Sequence, residues 1–200
     1  LNIGGITNAT WKKPGSKMTS FDIGPGNCLI DKWVRSNSNK KYDKNGTYAK
    51  NGKINKGLLQ YLFNFYNKMG LKNLLSYDVN DFNDQIKYVN GLSLKDGAAT
   101  LTEYTAEILY KKIFESKPLF FANIAISGGG RKNKFLIKTI KNKINYPLKL
   151  IDEYGVNGDF IESQAFAYLA IRSYLKLPIS FPETTKVSKP SPGGILVKNY

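Results

Sequence analysis

Apolar positions recur along this chain at two periods, and the switches between them mark out the elements. Residues 1–9 read as a strand broken by Gly4-Gly5, and a turn follows at Lys13-Pro14-Gly15. Residues 18–23 give a second strand that runs directly into Gly24-Pro25-Gly26-Asn27. Over 28–35 the spacing turns helical, with Leu29, Ile30, Trp33 and Val34 on one side. The stretch 36–55 is polar, carries the turn Asp43-Lys44-Asn45-Gly46, and is expected at the surface. A helix is predicted over 58–69, ended by Gly70 as a C-cap residue, and 73–90 is expected to be irregular.

A long amphipathic helix over 94–114 places Leu101, Tyr104, Thr105, Ile108 and Ile113 on its buried side. Residues 119–126 are a dense apolar run of the kind covered on both faces of a sheet. Ser127-Gly128-Gly129-Gly130 follows at once, then a helix over 132–143, a short strand over 148–151 and a last main helix over 159–175. Strands alternating with helices predict an α/β fold whose sheet is at least partly parallel. No internal repeat divides the chain.

Length and composition add limits to this picture. The 200 residues, 42% of them hydrophobic, suit one sizeable domain or one lobe of a larger protein. A chain of this size buries roughly 70% of its unfolded surface, so it needs no disulfide or metal staple. The single cysteine, Cys28, excludes an internal disulfide; it reads as a packed helix residue in a reducing, cytoplasmic setting. No apolar run approaches the roughly 18 residues of a membrane span, and no signal peptide is visible, so no membrane partner is expected. Leu1 opens the chain inside a strand, which reads as the start of a fragment.

The net charge of +15 raises nucleic acid as a partner, because neutralising phosphates releases counterions. Of the 30 basic residues, however, only Arg35, Arg131 and Arg172 are arginine, the residue suited to bidentate phosphate and base contacts. The lysines are scattered and travel with Asn, Ile, Tyr and Phe, the mixture that AT-rich codons produce. The charge is read as genome composition, and no nucleic-acid partner is expected.

Candidate chemistry lies in three glycine-rich turns beside predicted strands: Gly4-Gly5, Gly24-Pro25-Gly26-Asn27 and Gly128-Gly129-Gly130. Each is either a plain tight turn or a place where backbone approaches an anion closely; three in one α/β pattern favour a nucleotide or phosphate site. None fits the P-loop or the Rossmann fingerprint. Asp22, at the end of a strand before Gly24, is either a general base or a residue bonding its own turn. Glu162, three residues after Asp159, resembles a capping box, and Asp31 and Asp152 read equally as solvated charges. The chain has no histidine, which removes His-dependent triads, metal sites and proton shuttles; no metal-ligating residues are assigned. Carboxylates and backbone amides remain, and these suit phosphoryl transfer.

Taken in order, the motifs resemble those of the anhydro-N-acetylmuramic acid kinases. The matching stretches are 1–8, then 21–27 with Leu29, Asp31 and Trp33, then 100–106, then 127–130 with Asn133, and finally Asp152-Glu153 through Gly155 to Glu162, Ala165, Phe166 and Ala167. The resemblance implies an actin-like, sugar-kinase ATPase (ribonuclease H-like) lobe, a mixed sheet with flanking helices, within a two-lobed protein. It implies Mg2+ and ATP as cofactors, with Gly4, Gly5, Gly128, Gly129, Gly130 and Asn133 binding ATP. By the same resemblance Gly24, Gly26, Asn27 and Glu162 bind the sugar, and Asp22 is the catalytic base. The family's first phosphate loop, a Gly-Thr-Ser-like turn, has no counterpart in these residues. The chain is therefore expected to be the C-terminal portion, essentially one lobe, and inactive alone; a homodimer is a further implication. Another actin-like-fold sugar or acyl kinase is the alternative enzyme, and a basic nucleic-acid module the alternative of a different class.

Overall fold

The computed structural model describes residues 1–70, 76–115, 123–144 and 146–197. Strand β1 (Asn2–Ile3) pairs antiparallel with β2 (Ile6–Trp11), and β2 pairs antiparallel with β3 (Thr19–Pro25). Strand β4 (Ile124–Ile126) pairs parallel with β5 (Leu148–Leu150). A parallel bridge between Asn2 and Ser127 joins the two sets. There the Ile3 N–H donates to the Ser127 carbonyl at 3.0 Å and the Ser127 N–H to the Leu1 carbonyl at 2.8 Å. The resulting order is β3-β2-β1-β4-β5, a mixed sheet with flanking helices, as the alternating pattern predicts. Of the apolar run 119–126, the part up to 122 lies outside the described residues. The rest is half-covered, with Ile126 buried and Ile124 and Ala125 partly exposed.

The core is organised around α4 (Leu94–Tyr110), which Ser93 caps by accepting the Asp96 N–H at 3.1 Å. Leu101, Tyr104, Thr105, Ile108 and Ile113 are all buried, as their helical spacing requires. The helix does not continue regularly to 114; it passes into a π-turn at Lys111–Glu115. Helix α1 (Cys28–Asn37) buries Leu29, Ile30, Trp33 and Val34 against it. The Trp33 indole N–H donates to the Leu94 carbonyl at 2.9 Å, and the ring lies so close that a Cβ on Gly97 would come within 2.2 Å of it. Helix α3 (Lys56–Gly70) adds Leu62, Phe63 and Tyr66 to the same core. Helix α5 (Lys134–Lys143) contributes Leu136, Ile137 and Ile140, and Lys143 ties it to Glu103 and Glu107 of α4 at 2.6 Å each.

Three stretches depart from the pattern-based expectation. The polar segment 36–55 is not simply surface: α2 (Thr47–Lys50) packs against α4, and Asp43, Gly46 and Ala49 are buried. Its burial comes from small residues and backbone; a Cβ on Gly52 would lie 2.0 Å from the Lys95 carbonyl, which no apolar periodicity reveals. Residues 71–75 lie outside the described residues, but Val79–Val89 forms a 3-10 helix that buries Phe82 and Val89. A reciprocal cap starts it: Asp78 accepts the Asn80 N–H at 2.9 Å, and Asp81 accepts the Asp78 N–H at 2.7 Å. The last main helix, α6 (Ile161–Tyr174), buries none of its residues, and Phe166 and Tyr174 are 71% and 70% exposed. Of the chain's aromatics, Tyr61 and Phe166 are exposed and Phe65 is half-buried, while Phe120 and Phe121 lie outside the described residues.

Candidate functional site

Strands β1, β3 and β4 run the same way, so the turns after them emerge at one end of the sheet. Those turns are the three glycine segments. Gly4-Gly5 and 24–27 are laced together: the Gly26 N–H donates to the Gly5 carbonyl at 2.9 Å, and the Asn27 N–H to the Gly4 carbonyl at 2.8 Å. The Thr105 hydroxyl of α4 donates to the Gly26 carbonyl at 2.9 Å and fixes the loop from below. On the other side Gly128, with φ of +81°, is pressed against β1; a Cβ there would meet the Asn2 Oδ1 at 2.4 Å and the Ile3 carbonyl at 2.5 Å. Gly129 faces open space. Glycine is required at Gly26 and Gly128 for close approach of backbone, and at Gly128 also for its left-handed conformation.

A cavity of about 820 Å³ opens beside these turns. Asn27, Gly129 and Asn133 line it, together with Asp31, Asn45 and Arg131. Asn133 has a structural task as well: it starts α5 by accepting the Leu136 N–H at 3.0 Å. Asp31 is not a solvated surface charge. It is half-buried on α1, and burial pushes its carboxyl up to about 6, with Arg35 lowering it and Asp43 raising it. Buried Asp43 spends its own carboxylate on the N–H groups of Tyr48 and Ala49, at 2.8 and 2.9 Å, which anchors α2 beside the cavity.

Asp22 stands on β3 next to a bulge, where Thr7 pairs with Gly24 and Asn8 with Asp22. Its Oδ2 accepts the Tyr77 N–H at 2.8 Å, a contact 55 residues along the chain, so more than its own turn holds it. The Tyr66 hydroxyl donates to the adjacent Ile23 carbonyl, and burial raises the Tyr66 phenol well above its ordinary value. Asp22 is half-buried and is not among the residues lining the cavity.

Glu162 is exposed on the first turn of α6 and is not among the residues lining the cavity. The capping box expected for it does not form. Phe160 occupies the N-cap position, and Asp159 is engaged by the Arg131 Nη2 at 2.6 Å and the Lys132 Nζ at 2.5 Å. Asp152, also read as solvated, accepts from the Arg131 Nε at 2.9 Å. Arg131 and Lys132 hold both carboxyls below the usual carboxylate range: Arg131 first for Asp152, Lys132 first and then Arg131 for Asp159. Arg131 was the residue that motif reading missed. Its one signal was an arginine at a glycine turn in a chain that otherwise relies on lysine. Cys28 is the packed residue expected, its thiol pushed up to about 11 chiefly by burial. Among the described residues no group of three or more metal-ligating side chains occurs, and no helix is long and apolar enough to cross a membrane.

The mixed sheet with flanking helices, its three glycine turns at one end, makes this an α/β protein. The chain belongs to the anhydro-N-acetylmuramic acid kinase family, whose model matches residues 1–198. It is similar to the anhydro-N-acetylmuramic acid kinase of Pelagibacter ubique, 48% identical over all of this chain and 55% of that protein. It is also similar to those of Zymomonas mobilis and Caulobacter vibrioides, each 37% identical, over 97% and 98% of this chain and 52% of each relative. The chain spans about half the length of the curated relatives it matches.

Proposed function

We propose that this chain supplies one wall of the nucleotide and sugar cleft of an enzyme that phosphorylates 1,6-anhydro-N-acetylmuramic acid at the expense of Mg-ATP. The observation that carries the reading is the lacing of Gly4-Gly5 to Gly26 and Asn27, with Gly128 packed on the same strand. The lacing spends the N–H groups of Gly4, Gly26 and Asn27 within the chain and so fixes the turns against each other, giving a ligand a wall of backbone that is ordered before it arrives. In this reading the chain is the C-terminal, actin-like lobe of a two-lobed cytoplasmic protein.

Gly4, Gly5 and Gly128 to Gly130 hold the nucleotide, with Asn133 at its side. Gly24, Gly26, Asn27 and Glu162 hold the sugar; Glu162 is exposed here, so its part depends on contacts from outside these residues. Asp22 takes a proton from a water whose oxygen bonds to the anomeric carbon. The bond from that carbon to the bridging oxygen breaks, and the released oxygen takes the γ-phosphoryl group, giving N-acetylmuramate 6-phosphate and ADP. Mg2+ bound with the triphosphate would neutralise charge on the phosphates, and it would need only one or two protein carboxylates.

Titration calorimetry with Mg-ATP tests the reading directly. Binding that is lost in Gly128→Val supports it, and a chain that takes up no nucleotide overturns it. Phosphoryl transfer needs contacts to both ends of the triphosphate and to the acceptor at once, so the chain alone is expected to show no sugar 6-phosphate formation.

A further inference from the structure

Arg131 is the one buried Lys or Arg side chain among the described residues, 6% exposed although it borders the cavity. Its guanidinium holds three groups together. Nε donates to Asp152 Oδ2 at 2.9 Å, Nη2 to Asp159 Oδ1 at 2.6 Å, and Nη1 to the Gly128 carbonyl at 3.2 Å. The chain between the two acids lies flat on the fork: a Cβ on Gly158 would come 2.3 Å from Nε. The Gly158 N–H also donates to the second oxygen of Asp152, at 3.2 Å. One side chain thus joins the turn after β4 to the 3-10 turn after β5 (Ile151–Tyr154) and to the approach to α6. Exposed ion pairs are worth little, and both carboxylates here are about half exposed, but the arginine side is buried and one fork binds two carboxylates and a carbonyl together. A lysine has no planar fork and reaches no such set.

We propose that Arg131 is a positioning residue that holds the Gly128–Gly130 turn in register with the 152–159 segment, so that the two form one rigid wall presenting the turn's backbone to the nucleotide. The ligand half of this inference rests on the function proposed above; the coupling half does not. Arg131 does not touch the phosphates; it acts through Gly128.

Hydrogen exchange and calorimetry on the 200-residue chain separate the two halves. In Arg131→Met, amides of 129–133 and of 155–159 should lose protection together by about tenfold or more, while those of α4 keep theirs. Mg-ATP affinity should fall by about tenfold or more in the same variant, and Arg131→Lys should restore neither property. Asp159→Asn, a milder break of the fork, should show the same paired loss to a smaller extent and serves if the methionine variant fails to fold. Loosening confined to 155–159, or full rescue by lysine, overturns the coupling. Paired loosening with unchanged Mg-ATP affinity overturns the ligand half. A wild-type chain that binds no nucleotide overturns the proposed function instead, and the exchange result still decides the coupling.

Discussion

Gly26 and Gly4 meet backbone to backbone: a Cβ on Gly26 would lie 2.3 Å from the Gly4 carbonyl oxygen. That oxygen also accepts the Asn27 N–H at 2.8 Å, so it has no room to retreat. Gly26→Ala should therefore push two of the three glycine turns apart. The expected cost is about 1–3 kcal/mol, the usual range for overpacking a fitted site, read as a lower urea midpoint. Mg-ATP binding should weaken with it. An alanine variant with an unchanged midpoint would mean that the two turns can separate freely.

Asp22 offers a sharper test, in an active enzyme carrying this segment. Asn keeps the oxygen that accepts the Tyr77 N–H but is not basic. As the general base, its replacement should lower turnover by about 10²- to 10⁴-fold, or about 3–5 kcal/mol of barrier, with ATP affinity little changed. A steady-state assay in which Asp22→Asn keeps more than about a tenth of the wild-type rate is incompatible with that role.

The pH dependence of stability should carry the mark of Asp31. Its folded carboxyl is raised to about 6, so the folded chain binds that proton more tightly than the unfolded chain does. Its contribution is greatest below the unfolded value of roughly 4 and is lost as pH rises to about 6. Asp31→Asn should thus stabilise the chain at pH 7 by about 1–2 kcal/mol, discounted for solvent screening, and the gain should vanish below about pH 4. Denaturant titrations at pH 4 and 7 check this; an equal shift at both pH values would sink it.

Burial along two helices predicts opposite responses to substitution. Leu101 on α4 is fully buried, so Leu101→Ala should cost about 2–5 kcal/mol. Phe166 on α6 is 71% exposed, so Phe166→Ser should change stability by no more than about 0.5 kcal/mol. A large loss at Phe166 in guanidinium unfolding would show that α6 is covered in solution.

Much of the architecture was legible from residue order. Helical spacing on α1 and α4 identified the buried sides, because a helix returns to the same face every three to four residues whatever it packs against. The glycine turns could be placed beside strands, and the ordered motifs pointed to the family that the comparison over residues 1–198 established. Such features are local, set by backbone geometry within a few positions. The fates of the charged residues were not local. Asp22 is held by Tyr77, 55 residues away, and Arg131 by Asp159, 28 residues away. Asp31 is half-buried and feels the charges of Arg35 and Asp43, and Asp159 is engaged by Arg131 and Lys132 while Glu162 stays exposed. Whether a carboxylate is solvated, capped or desolvated depends on which distant groups surround it, and those neighbours are chosen only when the sheet brings its strand ends together.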